Sequence, residues 1–142
     1  MNKTKKLFEI LLVEDNPADA HVIMKMLHQF EQCSNVTQAR DGQRAVDILS
    51  NQGVPSAPLP DFVILDLNLP KVDGFHVLSF IRSREELRSI PVVVMTGSSN
   101  REDEARLRTM GIVDYLTKPG DLDEYEVISR WFKKAISSLT EV

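Results

Sequence analysis

Phe62-Val63-Ile64-Leu65-Asp66-Leu67-Asn68-Leu69-Pro70 is the stretch on which the fold turns. Its first four residues are continuous in large apolar side chains, the signature of a strand covered on both faces. The run stops on a carboxylate. Helical spacing begins at about Gly74, in Phe75, Val77, Leu78 and Ile81. A doubly covered strand that passes into an amphipathic helix predicts a βαβ unit and a parallel sheet.

The same alternation extends in both directions. Phe8-Glu9-Ile10-Leu11-Leu12-Val13 and Pro91-Val92-Val93-Val94-Met95 read as further buried strands, and Val113-Asp114-Tyr115-Leu116 as a fifth. Asn35-Val36-Thr37-Gln38-Ala39 alternates and suits a sheet edge. Between these runs lie helical segments. Val22, Ile23, Met26, Leu27 and Phe30 form one stripe, opened by Asn16 as N-cap, Pro17 at the first helical position and Asp19 as a first-turn acid. A second helix opens near Asp41-Gly42 with Ala45, Val46, Ile48 and Leu49. A fourth, about Arg101 to Met110, is charged and predicted to be thinly buried. The last carries Tyr125, Ile128, Trp131, Phe132, Ile136 and Leu139, enough to dock firmly. The reading is an α/β fold: a five-stranded parallel sheet with helices on both faces. Asn51 to Pro60, with Pro55, Pro58 and Pro60, reads as an exposed loop before the third strand.

Composition narrows the function. The 142 residues suit one domain (residues 1–142), and a formal charge of −4 argues against a general basic field for nucleic acid. A lone cysteine, Cys33, excludes an intramolecular disulfide framework and a multi-cysteine zinc site, and reads as a bland thiol or small buried hydrophobe. No apolar run approaches the roughly 20 residues of a membrane span. Met1 to Lys6 imitates the basic start of a signal peptide, but Glu9, Glu14 and Asp15 interrupt the apolar segment behind it. The expectation is a soluble cytoplasmic protein.

In open α/β sheets, ligands bind beyond the carboxyl ends of the strands. The first strand ends on Glu14-Asp15, the third on Asp66, the fourth on Thr96-Gly97 and the fifth on Thr117-Lys118-Pro119. Three acids at one rim repel one another unless a cation neutralises them, and oxygen ligands without His or Cys point to Mg2+ or Mn2+. A carboxylate flanked by such a cation and an ammonium stays ionised and can attack phosphorus, giving an aspartyl phosphate. At this rim the Thr96 hydroxyl could reach a phosphoryl oxygen, and Gly97 leaves room for backbone approach. Each residue also has a plainer reading: Lys118 as a solvated lysine, Thr96 as a β-branched strand residue, Tyr115 as a half-buried strand aromatic. Asp19 and Asp61, taken alone, read as acids that cap the next helix.

Val13-Glu14-Asp15-Asn16-Pro17, Leu65 to Pro70 with Asp73-Gly74, Met95-Thr96-Gly97 and Tyr115-Leu116-Thr117-Lys118-Pro119 occur in order and resemble the receiver domain of two-component response regulators, the chemotaxis-type receiver. The resemblance covers about residues 7 to 139. It implies a flavodoxin-like fold with strand order 2-1-3-4-5. It also implies that Asp66 is the phosphoacceptor, with Asp15 a direct Mg2+ ligand and Glu14 acting through water. Glu14 stands where Asp is commoner. Asn68 matches the position offering a backbone carbonyl to the metal, Thr96 the switch hydroxyl, Tyr115 the switch aromatic and Lys118 the phosphate-binding lysine. The implied partners are a sensor histidine kinase, of the phytochrome type for stand-alone receivers with a Pro-rich insert, and a downstream protein. Direct DNA binding and an output domain are not expected. Self-association through the fourth helix, fifth strand and fifth helix is a further implication, favoured if Ile112, Trp131 or Phe132 are exposed.

Three rival readings compete with the receiver. A haloacid-dehalogenase-type phosphatase also uses an Asp nucleophile, Mg2+, Thr and Lys, but normally needs Asp-x-Asp on its first core strand. Asp66-Leu67-Asn68 lies on the third and lacks the second acid. A flavodoxin-like cofactor binder would find Glu14-Asp15 repelling its phosphate. A receiver acting by protein contacts alone, without phosphorylation, would have no use for intact acids and Lys118. The expectation is therefore a phosphoacceptor switch and not a turnover enzyme.

Overall fold

The computed structural model describes residues 8–30, 33–50, 59–97 and 100–140. The basic run Met1 to Lys6, residues 51–58 of the Pro-rich loop and the side chain of Cys33 lie outside what it describes. Five strands and five helices alternate: β1 (Phe8–Val13), α1 (Pro17–Leu27), β2 (Cys33–Ala39), α2 (Gly42–Leu49), β3 (Phe62–Leu65), α3 (Gly74–Ser83), β4 (Val92–Thr96), α4 (Arg101–Thr109), β5 (Asp114–Thr117) and α5 (Leu122–Thr140). All strand pairs are parallel, in the order β2-β1-β3-β4-β5. The alternating strand β2 lies at one edge, as its pattern predicts. It begins two residues earlier than that pattern, and β4 and β5 each start one residue later than their apolar runs.

Side chains alternate across a strand, so each buried strand feeds two cores. Leu11, Val13, Val63, Leu65, Val92 and Val94 pack with Ala45, Leu49, Val77, Leu78, Ile81 and Leu107 of α2, α3 and α4. Ile10, Leu12, Phe62, Ile64, Val93 and Met95 pack with Ile23, Met26 and Leu27 of α1 and Ile128, Phe132 and Ile136 of α5. Phe62 anchors α5 directly, its ring 6.3 Å from Phe132 in an edge-on contact and 6.4 Å from Trp131.

Several side chains differ from the sequence expectation. The buried stripe of α1 is Ala20, Ile23, Met26 and Leu27, which leaves Val22 at its margin and 39% exposed. Leu139 is 37% exposed near the end of α5, beyond the buried residue Ile136. Phe132 is fully buried, Ile112 and Trp131 are half-buried, and the Trp131 indole donates to Asp114 Oδ2 at 2.8 Å. Of the three residues whose exposure would favour self-association, Phe132 offers no surface and Ile112 and Trp131 only part of theirs.

Helix α4 agrees with the expectation of thin burial: Leu107 is its one buried residue. Polar contacts hold it instead. Arg82 of α3 donates through Nε to Met110 O (3.0 Å) and through Nη2 to Gly111 O (2.7 Å) at the end of α4. Its Nη1 serves Arg88 O and Ile90 O in the α3–β4 turn, at 3.0 and 3.1 Å. Gly111, at φ +84°, is the left-handed residue that ends the helix, a conformation glycine adopts without steric cost.

Candidate functional site

The rim is assembled by register. Val13 faces Leu65, and the ladder continues one residue further: the Asp66 N–H donates to Val13 O and the Glu14 N–H to Ala39 O, both at 3.0 Å. Glu14 and Asp66 therefore leave adjacent strands at the same height with their backbones fixed. Their side chains are 1% and 5% exposed, whereas Asp15 is exposed. One carboxylate oxygen from each of Glu14, Asp15 and Asp66 lies within 4.8 Å of the other two. The three acids that the strand ends single out thus converge.

Lys118 reaches this cluster from the end of β5. Its backbone N–H donates to Thr96 O at 2.8 Å, and its Nζ lies 2.7 Å from Glu14 Oε1, 2.8 Å from Asp19 Oδ2 and 3.1 Å from Asp66 Oδ2. Burial alone would lower the ammonium's pKa. Hydrogen bonds to Asp19, Glu14 and Asp66 more than reverse it, so Lys118 is held above the ordinary lysine range. Burial pushes the Glu14 carboxyl up to about 7, against the opposing pull of Lys118 and the Asn16 N–H. Asp66 accepts the Asn68 N–H on Oδ1 at 3.3 Å, a bond that curls the chain after β3 back over the carboxylate.

Thr96 is 1% exposed, and its Oγ1 has no hydrogen-bond partner. A buried hydroxyl without a partner is unfavourable, which marks a donor kept for a group that comes and goes. Next to it, a Cβ on Gly97 would meet no atom within 4 Å, so the backbone there is open to approach. Tyr115 is half-buried against the α2–α4 core, and its hydroxyl accepts the N–H of Asn100, the N-cap of α4, at 3.3 Å. Asn68 is exposed at the start of the β3–α3 loop.

An all-oxygen trio with no His or Cys fits a hard divalent cation. Both Glu14 oxygens already have protein donors or cations, Lys118 on Oε1 and Asn16 N–H on Oε2, which leaves Asp15 as the carboxylate of the trio most open to a metal. One residue of the site differs from its sequence reading. Asp19 is a first-turn acid of α1, but it also grips Lys118 across 99 positions of chain. The available signal was positional: α1 starts within four residues of the rim, so its first turn overhangs the same strand ends.

The family model of the response regulator receiver domain matches residues 10–128. The chain is 45% identical over 112 residues to the probable methanogenesis regulatory protein FilR2 of Methanothrix harundinacea (strain 6Ac), covering 79% of this chain and 72% of that protein. It is 39% identical over 116 residues to the response regulator Rcp1 of Synechocystis sp., covering 81% and 79% respectively. The crystal structure of Mn2+-bound Rcp1 superposes with a TM-score of 0.83 at 35% identity, over 89% of this chain and 92% of that one. That of the phosphorylated cyanobacterial phytochrome response regulator RcpA gives 0.87 at 35% identity, over 95% and 97%. Site and relatives agree: the chain belongs to the response regulator receiver domain family and works as a phosphorelay response regulator.

Proposed function

We propose that Asp66 is the phosphoacceptor of this response regulator, receiving its phosphoryl group from a histidine kinase. The observation that carries the assignment is the Lys118 ammonium 3.1 Å from Asp66 Oδ2, inside a cluster of three carboxylates. In the transfer, a carboxylate oxygen of Asp66 forms a bond to phosphorus as the phosphohistidine N–P bond breaks, and the imidazole leaves with the electron pair. Lys118 stays protonated and turns a donor to a phosphoryl oxygen, while the Thr96 hydroxyl finds its missing acceptor on another. Asp15 and Asp66 would hold Mg2+ or Mn2+ directly, with Glu14 through water and Asn68 through its backbone carbonyl. When bound, the cation offsets the negative charge of the carboxylates and of the transferring group.

The output we assign to a change of surface. As Thr96 turns toward the phosphoryl group, Tyr115 rotates inward and gives up the Asn100 N–H, which frees the start of α4 and alters the α4–β5–α5 face for a downstream protein. Asn68 stands where a phosphatase of the haloacid dehalogenase type carries its acid/base, which supports a switch with slow self-catalysed phosphorylation and dephosphorylation over a turnover enzyme. Likeness to Rcp1 and RcpA supports a kinase of the phytochrome type as the donor.

The assignment is tested with acetyl phosphate as donor. One phosphoryl group per chain is expected in Mg2+, none in EDTA and none in Asp66→Asn. Undiminished labelling of Asp66→Asn would overturn it, and sustained hydrolysis of phosphomonoesters would restore the enzyme reading.

A further inference from the structure

An ammonium carries three N–H donors, and Lys118 has three carboxylates within reach of them: Glu14, Asp19 and Asp66. A phosphoryl oxygen therefore gains Lys118 only by displacing one of the three. Two of these partners have other work in phosphoryl transfer, Asp66 as the nucleophile and Glu14 beside the metal. Asp19 has neither role. It lies outside the acidic trio, and its side chain is 41% exposed on the first turn of α1.

That first turn is a rigid mount. Asn16 caps it with Oδ1 accepting the Asp19 N–H at 3.0 Å, and Pro17 fixes the backbone at the first helical position. The helix N-terminus also favours the charged form of a carboxylate placed there. Across the gap, Lys118 is anchored by its own N–H to Thr96 O. The Asp19–Lys118 contact at 2.8 Å thus ties α1 to the end of β5 at the edge of the phosphoryl site.

We propose that Asp19 is a positioning residue for phosphoryl transfer: its carboxylate keeps the Lys118 ammonium at the site while that ammonium exchanges Glu14 or Asp66 for an incoming phosphoryl oxygen. The inference rests on Asp66 as the acceptor. Without Asp19, Lys118 has two remaining carboxylate partners, both needed elsewhere, and its long stem is free to leave when either is taken. The competing account is a first-turn acid that only stabilises α1, and such an acid would act independently of Lys118.

The experiment is a double-mutant cycle on the intact protein, read as the rate of phosphoryl incorporation from acetyl phosphate at saturating Mg2+. Asp19→Asn keeps size and the Asn16 cap but removes the charge, Asp19→Ser shortens the side chain, and Asp19→Glu restores a carboxylate. Asp19→Asn and Asp19→Ser are expected to slow incorporation by about 10-fold, inside the roughly 100-fold that a 1 Å misplacement can cost. Asp19→Glu is expected to recover most of the rate, and Asp19→Asn to have no further effect on Lys118→Ala. A rate within about twofold of wild type for both Asp19→Asn and Asp19→Ser would overturn the proposal, as would an equal loss in the Lys118→Ala background. Asp66→Asn run in parallel separates the two claims: its labelling reports on the acceptor, whatever the Asp19 variants do.

Discussion

Thr96 shows most clearly what a single residue does in this site. It is a hydroxyl at the buried end of β4, 1% exposed, and the one buried side-chain oxygen or nitrogen without a partner among the described residues. An unsatisfied buried hydroxyl costs about 1–3 kcal/mol. Thr96→Val, which keeps the shape and removes the oxygen, should therefore raise the stability of the unphosphorylated protein by about 1 kcal/mol in urea unfolding. The same change should weaken the response of the α4–β5–α5 face to phosphorylation. A variant less stable than wild type would mean that the hydroxyl is satisfied in the resting state. The residue's place at the rim was legible from the strand that ends on it. Its lack of a partner was not, because that depends on every atom around it.

Among the elements, α4 depends most on its anchors. A helix with one buried residue cannot be positioned by apolar packing. Arg82 clamps its last turn through Met110 O and Gly111 O, Arg106 stacks 4.2 Å over the Phe75 ring, and Arg108 joins Asp114 at 3.1 Å, which in turn accepts the Trp131 indole. The start of α4 meets Tyr115 through the N–H of Asn100, which donates to the Tyr115 hydroxyl at 3.3 Å. The two ends are thus held differently, so the proposed release at Tyr115 would pivot α4 about its clamped end. Arg82→Met removes donors from four carbonyls and should cost about 2–3 kcal/mol in urea unfolding, since several of those carbonyls regain water. A loss below about 0.5 kcal/mol would show that the clamp does not hold α4. At the start of α3, Asp73 accepts the His76 N–H and ring nitrogen, and burial, which alone would raise its pKa, is outweighed, so the carboxyl sits below its ordinary 3.8. Asp73→Ala should then cost about 1 kcal/mol at neutral pH. A carboxyl lowered by folding stabilises above its unfolded pKa, so the difference between variant and wild type should shrink as pH falls below 3.8. Helix starts such as this one were legible in Asn16-Pro17, Asp41-Gly42 and Asp73-Gly74, whereas the Arg82 clamp was not: it joins segments 28 and 29 positions apart through backbone oxygens that carry no side-chain signature.

At the scale of the molecule, the fold turns an excess of acid into a site. Parallel pairing of β1 with β3 puts Glu14, Asp15 and Asp66 together, and β4 and β5 bring Thr96 and Lys118 to the same rim. The strand runs and these five residues could be read along the chain because the first, third, fourth and fifth strands end where the chemistry begins, whereas the strand order came from the family resemblance. The bonds of Asp19 to Lys118 and of Trp131 to Asp114 could not, since they depend on which way a helix faces across the sheet. Convergence of like charges also predicts a response to metal. Mg2+ at 100 times its dissociation constant should add about 2.7 kcal/mol to stability, a gain lost in Asp15→Asn. Equal stabilisation of Asp15→Asn would remove that carboxylate from the metal site. The most direct test of the whole account is to locate the phosphoryl group: label the protein with acetyl phosphate in Mg2+, reduce the acyl phosphate with borohydride and map the peptides by mass spectrometry. The account predicts the reduced side chain at Asp66 alone; a reduced side chain at Glu14, Asp15 or Asp19 would contradict it.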